Sequence, residues 1–225
     1  VGSISTNLVA VDEDGEVVAR EYLRTAGRPL EAVRDGLRRV RDTLGGEPEV
    51  LGVATTGSGR YMTGDFVGAD TVRNEISAQA RAALHIDPSV DTIFEIGGQD
   101  SKYIFLREGR VADFEMNKVC AAGTGSFLEE QAEKLGIPIN DFGPMALESP
   151  GPARLGERCT VFMESDVVSR QSDGVPLRDI AAGLCVSVVR NYLHQVVGRK
   201  AVGNRIFFQD GIERTTASAL PLVTQ

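Results

Sequence analysis

One pattern occurs twice in this chain and restricts its fold more than any other feature: a turn of glycine and small polar residues, then two strand-like runs joined by a tight turn. The first copy is "VGSISTNLVAVDEDGEVVAREYLRTAG". The second, "DTIFEIGGQDSKYIFLREGRVADFEMN", begins with a strand of its own. Alternating side chains bounded by Asp-Glu-Asp-Gly and Arg-Glu-Gly-Arg turns predict hairpins. Setting Gly97 against Gly2 puts Lys102 opposite Asn7 and aligns the following strands to within one residue at the turn. A chain duplicated in this way reads as two sheets backed by helices, their polar turns facing each other across a cleft that clamps a nucleotide. Residues 1–90 form the first expected lobe and residues 91–225 the second.

The remaining segments fit that plan. "PLEAVRDGLRRVRDTLG" opens on Pro29, closes on Gly45 and repeats apolar residues at helical spacing, so it predicts an amphipathic helix. Glu49 to Ala54 read as a short buried strand that delivers the Thr55–Gly59 turn at its end, where open α/β sheets keep their ligand sites. Ser126 and Glu129 form an expected capping box for the helix "FLEEQAEKL", which Gly136 and Pro138 stop. "TVFMESDVVSRQS" and "LRDIAAGLCVSVVRNYLHQVV" predict two further helices, and "NRIFFQDG" a returning strand. "LESPGPARLGERC" is the loosest segment.

With 225 residues, 42% of them hydrophobic, the chain has enough apolar content for a core. A formal charge of −8 offers no extended basic surface, so no nucleic-acid partner is expected. No run of about 18 apolar residues and no leader-like start stand out, so no membrane is expected and the cytoplasm is the default compartment. Three cysteines are too few for a disulfide framework. Cys185 lies on the apolar face of a predicted helix and reads as a buried small hydrophobe. His85 and His194 have no second ligand nearby and are left without a role.

The motifs carry the chemistry. In "EIGGQDSK", two glycines let the backbone approach an anion, while Gln99 and Asp100 are of the types that orient an attacking water or hold a Mg2+-bound one. An ordinary hairpin turn has the same composition. "AAGTGSF" precedes a helix whose open amides and dipole favour an anion, but it lacks the Lys-Ser/Thr ending of a Walker loop. Together with Gly2–Thr6 and Thr55–Gly59, these turns at strand ends make nucleotide binding the better reading. Cys120 and Cys159 each lie just before a predicted helix, whose positive end favours a thiolate. Two thiolates do not complete a zinc or iron-sulfur site, and a twofold dimer would supply four. Buried structural thiols remain the alternative, and the spacing does not decide.

"EIGGQDSK", "NKVCAAGTGSFLEEQA" and "ERCTVFMESDVVS", in this order, resemble the BadF/BadG/BcrA/BcrD family, the ATPase activators of 2-hydroxyacyl-CoA dehydratases and the ATPase subunits of benzoyl-CoA reductase. The likeness runs from "VGSISTN" to "IFFQDG". It implies an actin-like (ribonuclease H-like), duplicated two-lobed ATPase fold that binds ATP/ADP and Mg2+. It also implies a homodimer sharing one 4Fe-4S cluster held by Cys120 and Cys159, electron delivery to an acyl-CoA dehydratase or reductase, and a flavodoxin or ferredoxin donor. By position, Gly2, Ser3 and Thr6 match the first phosphate turn, and Gly97, Gly98, Gln99 and Asp100 the second. Gly123, Thr124 and Gly125 would link cluster to nucleotide, and Gly211 falls in the adenosine turn. The family's aspartate before the first turn would precede Val1, Asn7 stands where lysine is usual, and Asp210-Gly211 replaces Gly-Gly. The fold is accordingly expected to be truncated at both ends. Two other readings are a cluster-free ATP-binding regulatory module of a larger protein and a small-molecule kinase of the same superfamily.

Overall fold

The structure is a computed structural model that describes residues 1–117, 124–156 and 160–210. The chain divides into two compact units, Val1–Ala82 and Ala83–Gln225.

The first unit opens with an antiparallel hairpin of β1 (Ser5–Val11) and β2 (Val17–Arg24). Its turn is closed by Asp12, whose Oδ1 accepts the amides of Asp14 at 3.1 Å and Glu16 at 2.8 Å, with Gly15 at φ 85°. Helix α1 (Pro29–Leu44) lies on the hairpin through Ala32, Val33 and Gly36. A side chain at position 36 would overlap Leu8, so glycine there sets how closely helix and sheet approach. Beyond α1, β3 (Ala54–Thr55) pairs in parallel with β4 (Thr71–Val72) around α2 (Arg60–Val67), and α3 (Glu75–Ile86) follows. The buried strand expected over 49–54 is not formed: pairing starts at Ala54, and Val50 and Leu51 are 69% and 71% exposed. The partner β4 is only two residues long and Asp70 lies at its start, taking the Val53 amide on its carboxylate at 2.8 Å, so no described strand pairs with Val50 and Leu51.

In the second unit a four-stranded sheet has the order β7–β6–β5–β8, from β5 (Thr92–Ile96), β6 (Ser101–Arg107), β7 (Arg110–Met116) and β8 (Ile206–Asp210). Strand β5 is central and buried throughout. Antiparallel pairing sets Glu95 against Lys102 on β6, and parallel pairing sets it against Gln209 on β8. The crossover between β7 and β8 is helical: α4 (Gly125–Lys134), α5 (Ile139–Leu147), α6 (Thr160–Ser172) and α7 (Leu177–Tyr192), the last continued by a π turn over Leu193–Val197. The sequence did not announce α5, because Pro144 sits inside it; Phe142 and Ala146 anchor it in the core.

Helix α7 is the centre of that core. Phe127, Leu128, Phe142 and Met163 from the other helices pack against its Ile180, Leu184 and Val188. With its π turn it is the one helix among the described residues long and apolar enough to cross a membrane, and 78% of that stretch is buried in this unit instead. Cys185 is 1% exposed within it, and burial pushes its thiol up to about 12. At the far end Tyr192 meets Phe94 of β5 edge-on at 5.4 Å, joining the helix to the sheet.

The loop before α6 rests on α7 at Gly183, where a Cβ would overlap the Ala153 carbonyl oxygen. Replacing Gly183 with Ala should therefore lower stability by about 1–3 kcal/mol despite the roughly 1 kcal/mol helix-propensity gain. Urea unfolding should show a lower midpoint at unchanged slope. Gly151→Ala, at an exposed position with open space, should stay within about 0.5 kcal/mol of the parent.

Candidate functional site

Strand β5 leaves the sheet at Ile96 and the chain turns through Gly97–Asp100 into β6. The turn closes on a 2.8 Å bond from the Gly97 amide to the Asp100 carbonyl. A Cβ on Gly97 would lie 2.7 Å from Glu95 Oε1 and 2.8 Å from Asp100 O, so the position admits only glycine. Gly98 is half-buried, Gln99 is exposed, and Asp100 keeps 42% of its side chain in solvent. The same closing bond recurs at the duplicated position: Gly2 donates its amide to Ser5 O at 2.8 Å.

Lys102 organises the second turn from below. Its ammonium, 4% exposed, donates to Glu95 Oε2 at 3.0 Å and Asp100 Oδ1 at 2.7 Å. Burial opposes its charge, but Glu95 and Asp100 outweigh burial and hold its pKa above the ordinary lysine value. The Lys102 carbonyl accepts from Tyr192 Oη at 2.9 Å. Burial, and then the charge of Glu95, push that hydroxyl's pKa up, so it remains a donor. Asn117 closes the mouth of the hairpin, accepting the Ser101 amide at 2.8 Å and donating its own to Ser101 O at 3.1 Å.

The start of α4 belongs to the same construction. Gly125 N donates to Gly97 O at 2.9 Å, and Ser126 N to Gly98 O at 2.7 Å. Two glycine turns expected as separate anion sites are thus one hydrogen-bonded unit, and these two helix amides are not open to a ligand. The expected capping box is corrected for the same reason. Thr124, extended and fully buried, is the N-cap residue, Ser126 lies inside the first turn, and no side chain caps the helix, because backbone carbonyls satisfy its first donors.

In the first unit Thr25 Oγ1 donates to Gly2 O at 2.9 Å. The Thr6 hydroxyl, fully buried and 2.9 Å from that of Thr25, must then donate to it. Ser3 is exposed. The Thr55–Gly59 turn lies beside this loop: Gly59 N donates to Val1 O at 3.0 Å, and Gly57, at φ 91°, leaves room for the same carbonyl. Arg60 braces the turn, donating to Gly57 O at 3.1 Å and Glu75 Oε2 at 2.6 Å.

Within their own units, therefore, Gly2, Ser3 and Thr6 share one turn, and Gly97, Gly98, Gln99, Asp100, Thr124 and Gly125 share the other. Cys120, Gly123, Cys159 and Gly211 lie outside the described residues. Among the described residues no group of three His, Cys, Asp or Glu side chains is placed to hold a metal ion. The sequence reading missed Glu95, Lys102, Thr25, Asn117 and Tyr192. A signal existed for the first two: a glutamate in the apolar run Thr92–Ile96, facing a lysine across a hairpin, leaves two opposite charges pointing into a core.

The model of the BadF/BadG/BcrA/BcrD ATPase family matches residues 1–220. The chain is 32% identical over 222 residues to the 2-hydroxyisocaproyl-CoA dehydratase activator of Clostridioides difficile, covering 96% of this chain and 80% of the relative. It superposes on the crystal structure of component A of the Acidaminococcus fermentans (R)-2-hydroxyglutaryl-CoA dehydratase with a TM-score of 0.89 at 28% identity, over 99% of this chain and 85% of that one. The activator of the 2-hydroxyisocaproyl-CoA dehydratase from Clostridium difficile, solved with bound ADPNP, gives 0.88 at 28% identity, over 100% and 84%. The actin-like α/β fold expected from the sequence is the fold of these structures.

Gly97→Ala should lower the urea midpoint by the equivalent of about 1–3 kcal/mol, because its methyl group meets a carboxylate and a backbone carbonyl that are both fixed. Gln99→Ala, at the exposed tip, should leave the midpoint within about 0.5 kcal/mol of the parent.

Proposed function

The chain belongs to the BadF/BadG/BcrA/BcrD ATPase family, and on that premise we propose that it is an ATP-hydrolysing activator passing single electrons to an acyl-CoA dehydratase or a reductase of the benzoyl-CoA type. Relatives are named as a dehydratase activator and a benzoyl-CoA reductase subunit, and one such activator was solved with bound ADPNP. The observation that carries the reading is the pair of bonds from the first amides of α4 to the carbonyls of Gly97 and Gly98. A turn suited to nucleotide phosphate is thereby fastened to the helix that follows Cys120. Displacing the turn displaces the helix start, which is what coupling hydrolysis to a redox centre requires.

In this reading Gly97 and Gly98 would allow phosphate close to the backbone, Asp100 would hold a water of the Mg2+ shell, and Gln99 would orient the attacking water. Gly2, Ser3 and Thr6 would form the first phosphate turn, and Gly211 would belong to the adenosine turn. The family likeness implies Cys120 and Cys159 of each chain as ligands of a shared 4Fe-4S cluster, while Cys185 is sealed in α7 and keeps its proton. Cys159 immediately precedes α6 and Cys120 lies five residues before α4, where helix ends favour thiolates. Two copies of the chain then give the four thiolates such a cluster needs. The cluster, when bound, supplies the one-electron carrier, refilled by a flavodoxin or ferredoxin in the cytoplasm.

Oxygen-free purification tests this directly. The protein should be brown, dimeric by light scattering, and carry about four iron and four sulfide per two chains. Cys120→Ala and Cys159→Ala should each abolish the colour, while Cys185→Ala should keep it. Colourless parent protein that still binds ATP would replace the activator with a cluster-free nucleotide module.

A further inference from the structure

Lys102 is among the least accessible charged side chains in the second unit, and neither phosphate chemistry nor cluster ligation has so far used it. Its anchor is Glu95, directly opposite in the β5–β6 register, and its other partner is Asp100, the last residue of the turn. The two carboxylates are drawn together over Gly97, in the space a Cβ would fill. The loop closed by Lys102 therefore contains both carbonyls that receive the first amides of α4. From the opposite side Tyr192 holds the Lys102 carbonyl, so the lysine backbone is tied to the end of the core helix. Asp100 commits only Oδ1 to this arrangement; the side chain is 42% exposed, and Oδ2 makes no hydrogen bond among the described residues.

We propose that Lys102, anchored by Glu95, is the positioning residue of the nucleotide site: it holds Asp100 and the Gly97–Gly98 carbonyls in register with the first turn of α4. Nucleotide arrival is thereby felt at that helix. The inference rests on the nucleotide reading above. When a divalent cation and phosphate draw on Asp100, the Lys102–Asp100 bond weakens and Lys102 stays with Glu95. The turn is then restrained at one end instead of two, and the α4 amides bonded to it open more often. When the ligand leaves, the bond to Asp100 re-forms. Lys102 touches neither phosphate nor cation in this scheme; it acts through Asp100.

Backbone amide exchange in the nucleotide-free full-length chain, read for Gly125 and Ser126 against the core amides of α7, tests the clamp itself. Lys102→Met should speed exchange at 125 and 126 by about tenfold or more while the α7 amides hold their protection, since the lost bonds are to charged groups. Because Lys102→Met strands two carboxylates, the paired variant Glu95→Gln/Lys102→Met, which removes the stranded anchor charge, and Asp100→Asn, which leaves Lys102 on Glu95, carry the same expectation with less risk to folding. Lys102→Arg should restore most of the protection. In equilibrium dialysis, ADP affinity without divalent ion should move by less than about threefold in the paired variant. The Mg2+ concentration giving half-maximal ADP binding should fall about tenfold, because the ammonium no longer competes for Asp100, a split that a merely structural role would not produce. Unchanged exchange at 125 and 126 in folded paired and Asp100→Asn variants overturns the clamp and leaves nucleotide binding standing. If the parent chain binds no ADP, the nucleotide reading fails while the exchange result still decides the clamp.

Discussion

A charged side chain buried in a core is tolerated only where its partners are fixed, and in the second unit the ammonium of Lys102 imposes that condition. Removing Glu95 would cost about 3–5 kcal/mol, because the buried ammonium has no water to turn to, whereas Asp100, 42% exposed, is also reached by solvent. Gly97 must remain glycine to let the two carboxylates approach the ammonium. The turn that results is stiff for an electrostatic reason. Bonds from Gly125 and Ser126 to the turn carbonyls join that turn to the start of α4.

The two copies of the hairpin solve the same problem with different chemistry. Both turns close on an amide-to-carbonyl bond of 2.8 Å at equivalent positions, Gly2 to Ser5 and Gly97 to Asp100. The residue after each turn is fully buried, Thr6 in one and Ser101 in the other. One position further on they part. Lys102 is buried and charged, while Asn7 is exposed. The first turn is held instead by hydroxyls, Thr6 donating to Thr25 and Thr25 to Gly2 O. Neutral hydrogen bonds are roughly half as strong as charge-assisted ones, so the first turn is the softer of the pair.

What was legible in the sequence follows from how local each signal is. The hairpins, α1, α6, α7 and β8 rest on periodicity and turn chemistry within a few residues, and they are formed where the pattern places them. The strand read over 49–54 failed because an apolar run becomes a strand only beside a partner, and partner length is not encoded in the run itself. The capping box failed for a related reason. Ser126 and Glu129 have the right spacing, but the helix donors were already claimed by carbonyls 28 residues away, Gly125 by Gly97 and Ser126 by Gly98. Motifs found Gly97 to Asp100 because glycine-rich turns are compact in sequence. They did not find Glu95 and Lys102 as a pair, since that pairing exists only once the strands are in register.

The division of labour in α7 explains how the second unit accommodates so polar a site. From Ile180 to Val189 the helix is buried on all sides, so its apolar contacts stabilise the unit without help from the turn. Only its last residue reaches the site, where the Tyr192 ring packs edge-on against Phe94 while its hydroxyl donates to Lys102 O. The side chain thus joins an apolar core to a charged cluster, and raising the hydroxyl's pKa keeps the donor in place at every physiological pH. Beyond it the helix loosens into a π turn over Leu193–Val197, packed against β6 and β7. A change in helical pitch at that point lets the chain leave the core and return as β8 alongside β5, with Gln209 facing Glu95 from the other side. The buried glutamate is in this way flanked on both neighbouring strands by polar side chains, and the sheet can carry a charge at its centre because the helix behind it does not need to.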